Sequence, residues 1–277
     1  MNKAISILDH LESIFRDVQC AVATGDAGWT RETTRNAKGD TVKWFDLASD
    51  RAVCAYLKER FPYSTILLSE EGSPREFGTG QTEFAIVLDP VDGSDNFARG
   101  MVPASMAVAL IPQSCPISIE SVQYALVGDL VTGQTCTAER GGGAFCDGKQ
   151  IHSGTCNTLE SAMISCEMNH FAVPAPLANV LSRARGVRSF GCASRAITLV
   201  ASGSLDAHLD LRDRLTPENF LAPSLILTEA GGDISGLEGE PIPEITNLTQ
   251  RFSIIASGSP ELHAVLVQQL KGGNICT

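Results

Sequence analysis

The sequence predicts an α+β N-terminal half, residues 1–160, followed by an α/β C-terminal half, residues 161–277. Three observations carry this reading. The first half opens on helical patterning and then runs through short apolar strands separated by turns. The second half alternates strand-like with helix-like segments. At 277 residues, 43% apolar and 19% charged, the chain has a globular composition and enough length for one large or two medium domains.

Ile5, Leu8, Leu11, Ile14, Phe15 and Val18 recur at helical spacing and predict a core-packing helix over 5–22. Gly25 to Asp40 is polar and glycine-bearing and reads as a loop. A second helix is predicted from Asp50 to Phe61, stopped by Pro62. Strand-like runs follow at 64–68, 84–88, 104–111, 122–127 and 134–138, and Asp147-Gly148 is a hairpin signal. In the second half, strands at 163–166, 187–190, 205–211 and 252–256 alternate with helices over 177–184, 194–202, 217–230 and 260–270. Thr216-Pro217 suits the start of the third of these helices, with Thr as N-cap and Pro at the first helical position, and Gly231 suits its stop. There is no internal repeat and no apolar run of bilayer length.

A net charge of −11 argues against binding to nucleic acid or to anionic lipid. The nine cysteines are odd in number and include no C-x-x-C pair, which favours reduced thiols in a cytoplasmic setting over a disulfide framework or a zinc site. Met1 to Ile5 leads into an amphipathic stretch and not a secretory signal. The five histidines show no metal-ligand spacing and read as surface or structural groups.

The chemistry concentrates in Leu88-Asp89-Pro90-Val91-Asp92-Gly93-Ser94-Asp95-Asn96-Phe97. An apolar strand ends at Pro90, and Gly93 marks a sharp turn. Asp89 and Asp92 are spaced to face one hard cation, and Ser94 with the following amides can meet an anion held by that cation. Alone, the turn reads equally well as a self-capped Asp-rich turn. A second strand, Thr65 to Leu68, ends in Ser69-Glu70-Glu71, and Glu70 is the better candidate ligand of the two acids. Two strand ends carrying Glu70, Asp89 and Asp92 would repel one another unless a cation neutralised them.

These two motifs resemble the central motifs of the inositol monophosphatase family, a metal-dependent group of lithium-sensitive-type sugar phosphatases. Gly142-Gly143-Ala144-Phe145-Cys146-Asp147-Gly148, Ala201 to Ala207 and Leu225 to Gly232 resemble three further family segments in the family's order. Lys43 to Asp50 and Asp210-Leu211-Arg212 look closest to the archaeal-type inositol monophosphatase/fructose-1,6-bisphosphatase branch. The resemblance implies a layered αβαβα sandwich with the active site between the halves. It implies Mg²⁺, two or three ions, with Mn²⁺ as a substitute. Glu70, Asp89 and the Val91 carbonyl would hold the first ion, Asp89 and Asp92 the second, and Glu70 would share a third. Asp50 and Ser94 would orient the attacking water, and the Gly93 and Ser94 amides would hold the phosphate. Lys38-Gly39-Asp40-Thr41 resembles the loop that closes over the metals, and Gly191-Cys192-Ala193-Ser194 a segment lining the polyol pocket. Homodimers are common in the family.

Asp210 and Arg212 end the strand that follows, where an Arg can grip a second phosphate. One departure stands out: the family's Asp ten residues before the Glu of E-A-G-G is here Asn219, preceded by Glu218. That Asp is a ligand of the second metal; an Asn carbonyl offers oxygen without charge. Asp95 is also unusual beside the phosphate turn. The leading expectation is a Mg²⁺-dependent phosphatase of small sugar or polyol phosphates, inositol monophosphate or fructose 1,6-bisphosphate by default. The alternatives are a weakened homologue that binds metal and a phosphorylated ligand, or a phosphatase for a specialised sugar or nucleotide phosphate.

Overall fold

The computed structural model describes residues 5–23, 32–35 and 41–271. Of the loop expected to close over the metals, Lys38 to Thr41, the first three residues lie outside the described residues and Thr41 is the first residue of the strand Thr41–Lys43. In chain order the elements are α1 (Ile7–Ala23), β1 (Glu32–Arg35), β2 (Thr41–Lys43), α2 (Trp44–Glu59), β3 (Thr65–Ser69), β4 (Arg75–Phe77), β5 (Phe84–Asp92) and α3 (Ser94–Ala98). Then come β6 (Ser105–Pro112), β7 (Tyr124–Asp129), β8 (Thr135–Glu139), β9 (Gly143–Cys146) and β10 (Lys149–Gln150). The second half holds β11 (Met163–Cys166), α4 (Ala175–Arg183), β12 (Gly186–Arg188), α5 (Ala193–Ala201), β13 (Ala207–Leu215), α6 (Pro217–Glu229), β14 (Asp233–Ser235), β15 (Phe252–Ser257) and α7 (Pro260–Leu270).

Strand alternation sorts the side chains into three cores and so fixes five layers. In the eight-stranded sheet, ordered β10-β9-β8-β7-β6-β5-β3-β4, Ile86, Leu88, Met106, Val108 and Leu110 face α1 and α2. Their neighbours Ala85, Val87, Ala107, Ala109 and Ile111 face the other way, onto α5 and α6. The five-stranded sheet, β12-β11-β13-β15-β14, covers the far side of those helices with Phe252, Ile254 and Ala256. Ile164, Leu209 and Ile255 on its outer face meet α4 and α7. The architecture is the expected αβαβα sandwich, and α5 and α6 are its central layer. This explains the apolar sequence of α6, whose residues from Phe220 to Leu227 are all buried.

Two expectations are corrected. The segment read as a loop from Gly25 to Asp40 contains β1, which pairs antiparallel with β2. The cysteines are not all reduced: Cys136 and Cys146 stand directly opposite each other on β8 and β9 and form a disulfide. Hairpin register created that proximity, which ten residues of separation did not reveal. Among the described residues, no helix is long and apolar enough to cross a membrane.

Candidate active site

A bulge in β5 aims the two aspartates. β5 pairs with β6 through Asp89↔Ala107 and resumes at Asp92↔Ser105, so three residues on one strand answer two on the other. In an unbroken strand Asp89 and Asp92 would face opposite sides; the extra residue turns both toward the central helices. Pro90 suits the bulge because it has no N–H to leave out of the ladder. Asp89 meets α6 and Asp92 meets the start of α5. Glu70 follows β3, its N–H donating to the Leu88 carbonyl at 3.3 Å, and stands beside Asp89 because β3 and β5 run parallel in register.

Asp92 is almost fully buried, and its Oδ2 accepts the Ser194 N–H at 2.7 Å and the Ser194 hydroxyl at 2.6 Å. Burial pushes its carboxyl above the usual range; bonds from Ser194 and Cys192 pull it back, and the charge of Glu70 adds to the rise. Gly93 follows with φ +82°, and a Cβ there would lie 3.0 Å from the Pro103 carbonyl and 3.1 Å from Cys192 Cβ. Only glycine takes that turn without displacing its neighbours. Asn96 ties the turn across the molecule, donating to the Pro103 carbonyl at 2.8 Å and the Phe190 carbonyl at 2.6 Å.

The expected pairing of Asp50 with Ser94 is not formed. Asp50 accepts both Arg75 N–H groups, at 2.6 and 2.5 Å, and serves the contact between α2 and β4. The Ser94 hydroxyl accepts instead from Lys43 Nζ at 3.2 Å. One turn earlier on the same face of α2 lies Asp46, buried, with Oδ2 accepting the Lys43 backbone N–H at 2.7 Å. Its carboxyl is pushed up to about 6, chiefly by burial; Lys43 opposes the shift, and Glu70 and Asp95 add to it. The acid that α2 presents to the site is therefore Asp46. The helix starts at Trp44, six residues before the expected Asp50, and this shift moved the face by a turn.

Asn219 Nδ2 donates to Asp89 Oδ2 at 2.6 Å, and its Oδ1 faces the Thr216 hydroxyl at 2.9 Å. Asn219 thus shows Asp89 an N–H where an oxygen ligand was expected. Thr216 Oγ1 also lies 2.5 Å from Glu218 Oε1. One hydroxyl proton cannot serve both acceptors. Turning the amide over resolves the conflict: Nδ2 then donates to Thr216, the Thr216 proton goes to Glu218, and Oδ1 faces Asp89. Two oxygens so close need either a proton or a metal cation between them. Thr216 holds the N-cap position as expected, but its side chain serves this network and not the helix amides.

Across the site, Gly191 has φ +64° and its N–H donates to Glu167 Oε1 at 2.9 Å. Ser194 was expected to contact substrate; its N–H and hydroxyl are engaged by Asp92. Asp210 is fully buried and receives Arg212 through Nε at 2.9 Å and one terminal N–H at 2.7 Å. The pair is a buried fork and not a solvated surface contact. Sequence reasoning missed Lys43, Asp46 and Glu167; the first two lie inside the Lys43 to Asp50 segment that carried the resemblance, where Asp50 was chosen instead, and Glu167 lies in no segment that was singled out. The structural reading of the histidines holds for His10, His208 and His263, which bond Tyr56, Ser165, and Ser235 with Ser257 respectively.

The donors fit a hard divalent ion. They are oxygens throughout, and burial, with the charge of Glu70 added, raises the affinity of Asp46 and of Asp92 for protons in a way that a cation would relieve. Among the described residues, no three acidic, histidine or cysteine groups already converge on one point, so the expected ligands line one edge without closing a cage.

A family model described as the inositol monophosphatase family matches residues 11–273. The chain is 29% identical over 266 residues to a fructose-1,6-bisphosphatase/inositol-1-monophosphatase of Methanothermobacter thermautotrophicus, covering 94% of this chain and 93% of that one. It is 25% identical to the inositol-1-monophosphatase of Bacillus subtilis, covering 85% of each. Among solved structures, the extragenic suppressor protein of Bartonella henselae superimposes with a TM-score of 0.80 at 22% identity, covering 96% of this chain and 98% of that one. A solved inositol monophosphatase–fructose 1,6-bisphosphatase superimposes equally well, with a TM-score of 0.80 at 22% identity, covering 95% of this chain and 99% of that one. With the bulged strand, the glycine turn and a match over nearly the whole length in agreement, the chain belongs to the inositol monophosphatase family.

Proposed function

We propose that the chain is a Mg²⁺-dependent phosphatase of small sugar or polyol phosphate monoesters, with inositol monophosphate and fructose 1,6-bisphosphate as its default substrates. The observation that carries this is the β5 bulge, which turns Asp89 and Asp92 to one side immediately before the glycine turn, beside Glu70. The family is metal-dependent, generally on Mg²⁺. When bound, such ions supply charge neutralisation and a water activated for attack on phosphorus. Glu70, Asp89 and the Val91 carbonyl would hold the first ion. Asp89 and Asp92 would hold the second, with Asn219 Oδ1 once its amide has turned.

The Gly93 and Ser94 amides orient the phosphate. Ser94 keeps its hydroxyl proton for a phosphate or water oxygen, because Lys43 is the donor in their contact. Asp46, the buried acid that α2 presents beside Lys43, is placed to orient the attacking water and take its proton. Gly191 and the Asp210–Arg212 fork bound the polyol side. A second phosphate there would meet the N–H groups that Arg212 does not spend on Asp210. The Asn219 N–H on Asp89 favours a weakly held second ion, and so a slower enzyme, as the second reading. A homodimer and a cytoplasmic setting belong to the first reading, on family habit and on the remaining free thiols, including buried Cys166 and Cys192.

Phosphate release across a panel of sugar, polyol and nucleotide monophosphates and sugar bisphosphates tests the proposal. Release is expected from polyol or sugar esters, and Asp89→Asn should lower it by roughly 10²-fold or more. Release confined to nucleotides, or unaffected by Asp89→Asn, would overturn it.

A further inference from the structure

Lys43 is a buried cation inside an acidic site. Its side chain is 9% exposed, whereas that of its ion-pair partner Asp95 is 85% exposed. Nζ lies 2.9 Å from Asp95 Oδ1 and 3.2 Å from Ser94 Oγ, and 5.8 Å from the centre of the Phe45 ring. A carboxylate that open to water is well screened and compensates little for desolvating an ammonium. The deeper compensation comes from buried Asp46, whose charge interacts with those of Lys43 and Glu70. Asp46 is held by the Lys43 backbone itself. An ammonium carries three N–H donors and no acceptor. Two contacts are spent on Ser94 and Asp95, and its charge stands beside the turn that would receive phosphate. That place, among carboxylates and next to a phosphate turn, is one that suits a cation.

We propose that Lys43 is a fixed internal cation of the active site: its ammonium takes the place of one divalent ion beside Asp46 and Ser94, so that the site holds one divalent ion fewer than its carboxylates would hold without it. This rests on the reading of the site as a divalent-metal centre. Lys43 is thereby a positioning residue that holds the Ser94 hydroxyl and sets the metal count.

Mn²⁺ binding to the full chain without substrate, counted by electron paramagnetic resonance, separates the two readings. Wild type that binds no Mn²⁺ overturns the metal centre itself and this inference with it. If wild type binds Mn²⁺, Lys43→Met should bind one more ion per chain, because methionine keeps the unbranched stem without charge. Lys43→Arg should keep the wild-type number. Asp95→Asn, which removes only an exposed and screened charge, should keep the wild-type number. A purely structural ion pair predicts no change in stoichiometry with either partner removed, and that result would overturn the inference. Should Lys43→Met not fold, as judged by circular dichroism, Lys43→Gln decides: one more Mn²⁺ per chain than wild type supports the proposal and an unchanged number overturns it.

Discussion

At the scale of single residues, Asn219 and Asp46 carry the sharpest consequences. An aspartate at 219 would bring one more negative charge to the second ion. At an effective dielectric of about 20, the gross attraction between a divalent ion and a unit charge ~4 Å away is roughly 8 kcal/mol, most of it offset by lost hydration. Asn219→Asp should therefore tighten the second ion and raise turnover; calorimetric titration of Mg²⁺ and steady-state phosphate release check both. Thr216→Val removes the acceptor that the turned amide needs, and should weaken the second ion while sparing the first. Asp46 gives a pH signature in the metal-free protein. Its folded value, about 6, exceeds the ordinary 3.8, so the folded state binds the extra proton between them. The stabilising contribution is complete below about 3.8 and is lost as pH rises through about 6. Denaturant midpoints measured from pH 4 to 7 should show this decline in wild type and lose it in Asp46→Asn.

At the scale of elements, the turn after β5 is the most constrained piece of backbone. Gly93 and Gly141 both have positive φ, but a Cβ at Gly141 meets nothing within 4 Å, whereas at Gly93 it presses on the Pro103 carbonyl. Gly141→Ala should cost only the backbone strain, about 1–2 kcal/mol. Gly93→Ala should cost more and also abolish phosphate binding, as paired denaturation and inorganic-phosphate titrations would show. The motif around Gly93 was legible in the sequence because glycine, proline and aspartate each mark a backbone requirement. The start of α2 was not. Lys43-Trp44 carries no usual N-cap signal, and the cap is made by Asp46 reaching back to the Lys43 N–H. That one-turn error put the expected water-orienting carboxylate at Asp50, where the proposed one is Asp46. β4 and β14, three residues each, are too short to show a period at all.

At the scale of the whole molecule, the central layer joins the two sheets. Phe220 is fully buried in α6 and packs edge-on against Phe252 of β15 at 5.1 Å between ring centres. Phe220→Ala should destabilise the fold by about 3–5 kcal/mol. Both sheets should unfold in one transition, because α6 contributes to the core that both of them bury. The layers were legible because long buried runs such as 84–88 and 220–227 differ in period from the amphipathic outer helices. The Cys136–Cys146 bridge and the Asp210–Arg212 fork depend on strand register and burial, which no local pattern encodes. The central claim is that the carboxylates at the β3 and β5 ends act through a divalent cation. Its most direct test is phosphate release from fructose 1,6-bisphosphate and inositol 1-phosphate as Mg²⁺ is titrated into protein stripped with chelator. The expected result is no release without Mg²⁺ and a saturable rise with it, lost in Asp89→Asn; undiminished release in excess chelator would contradict the account.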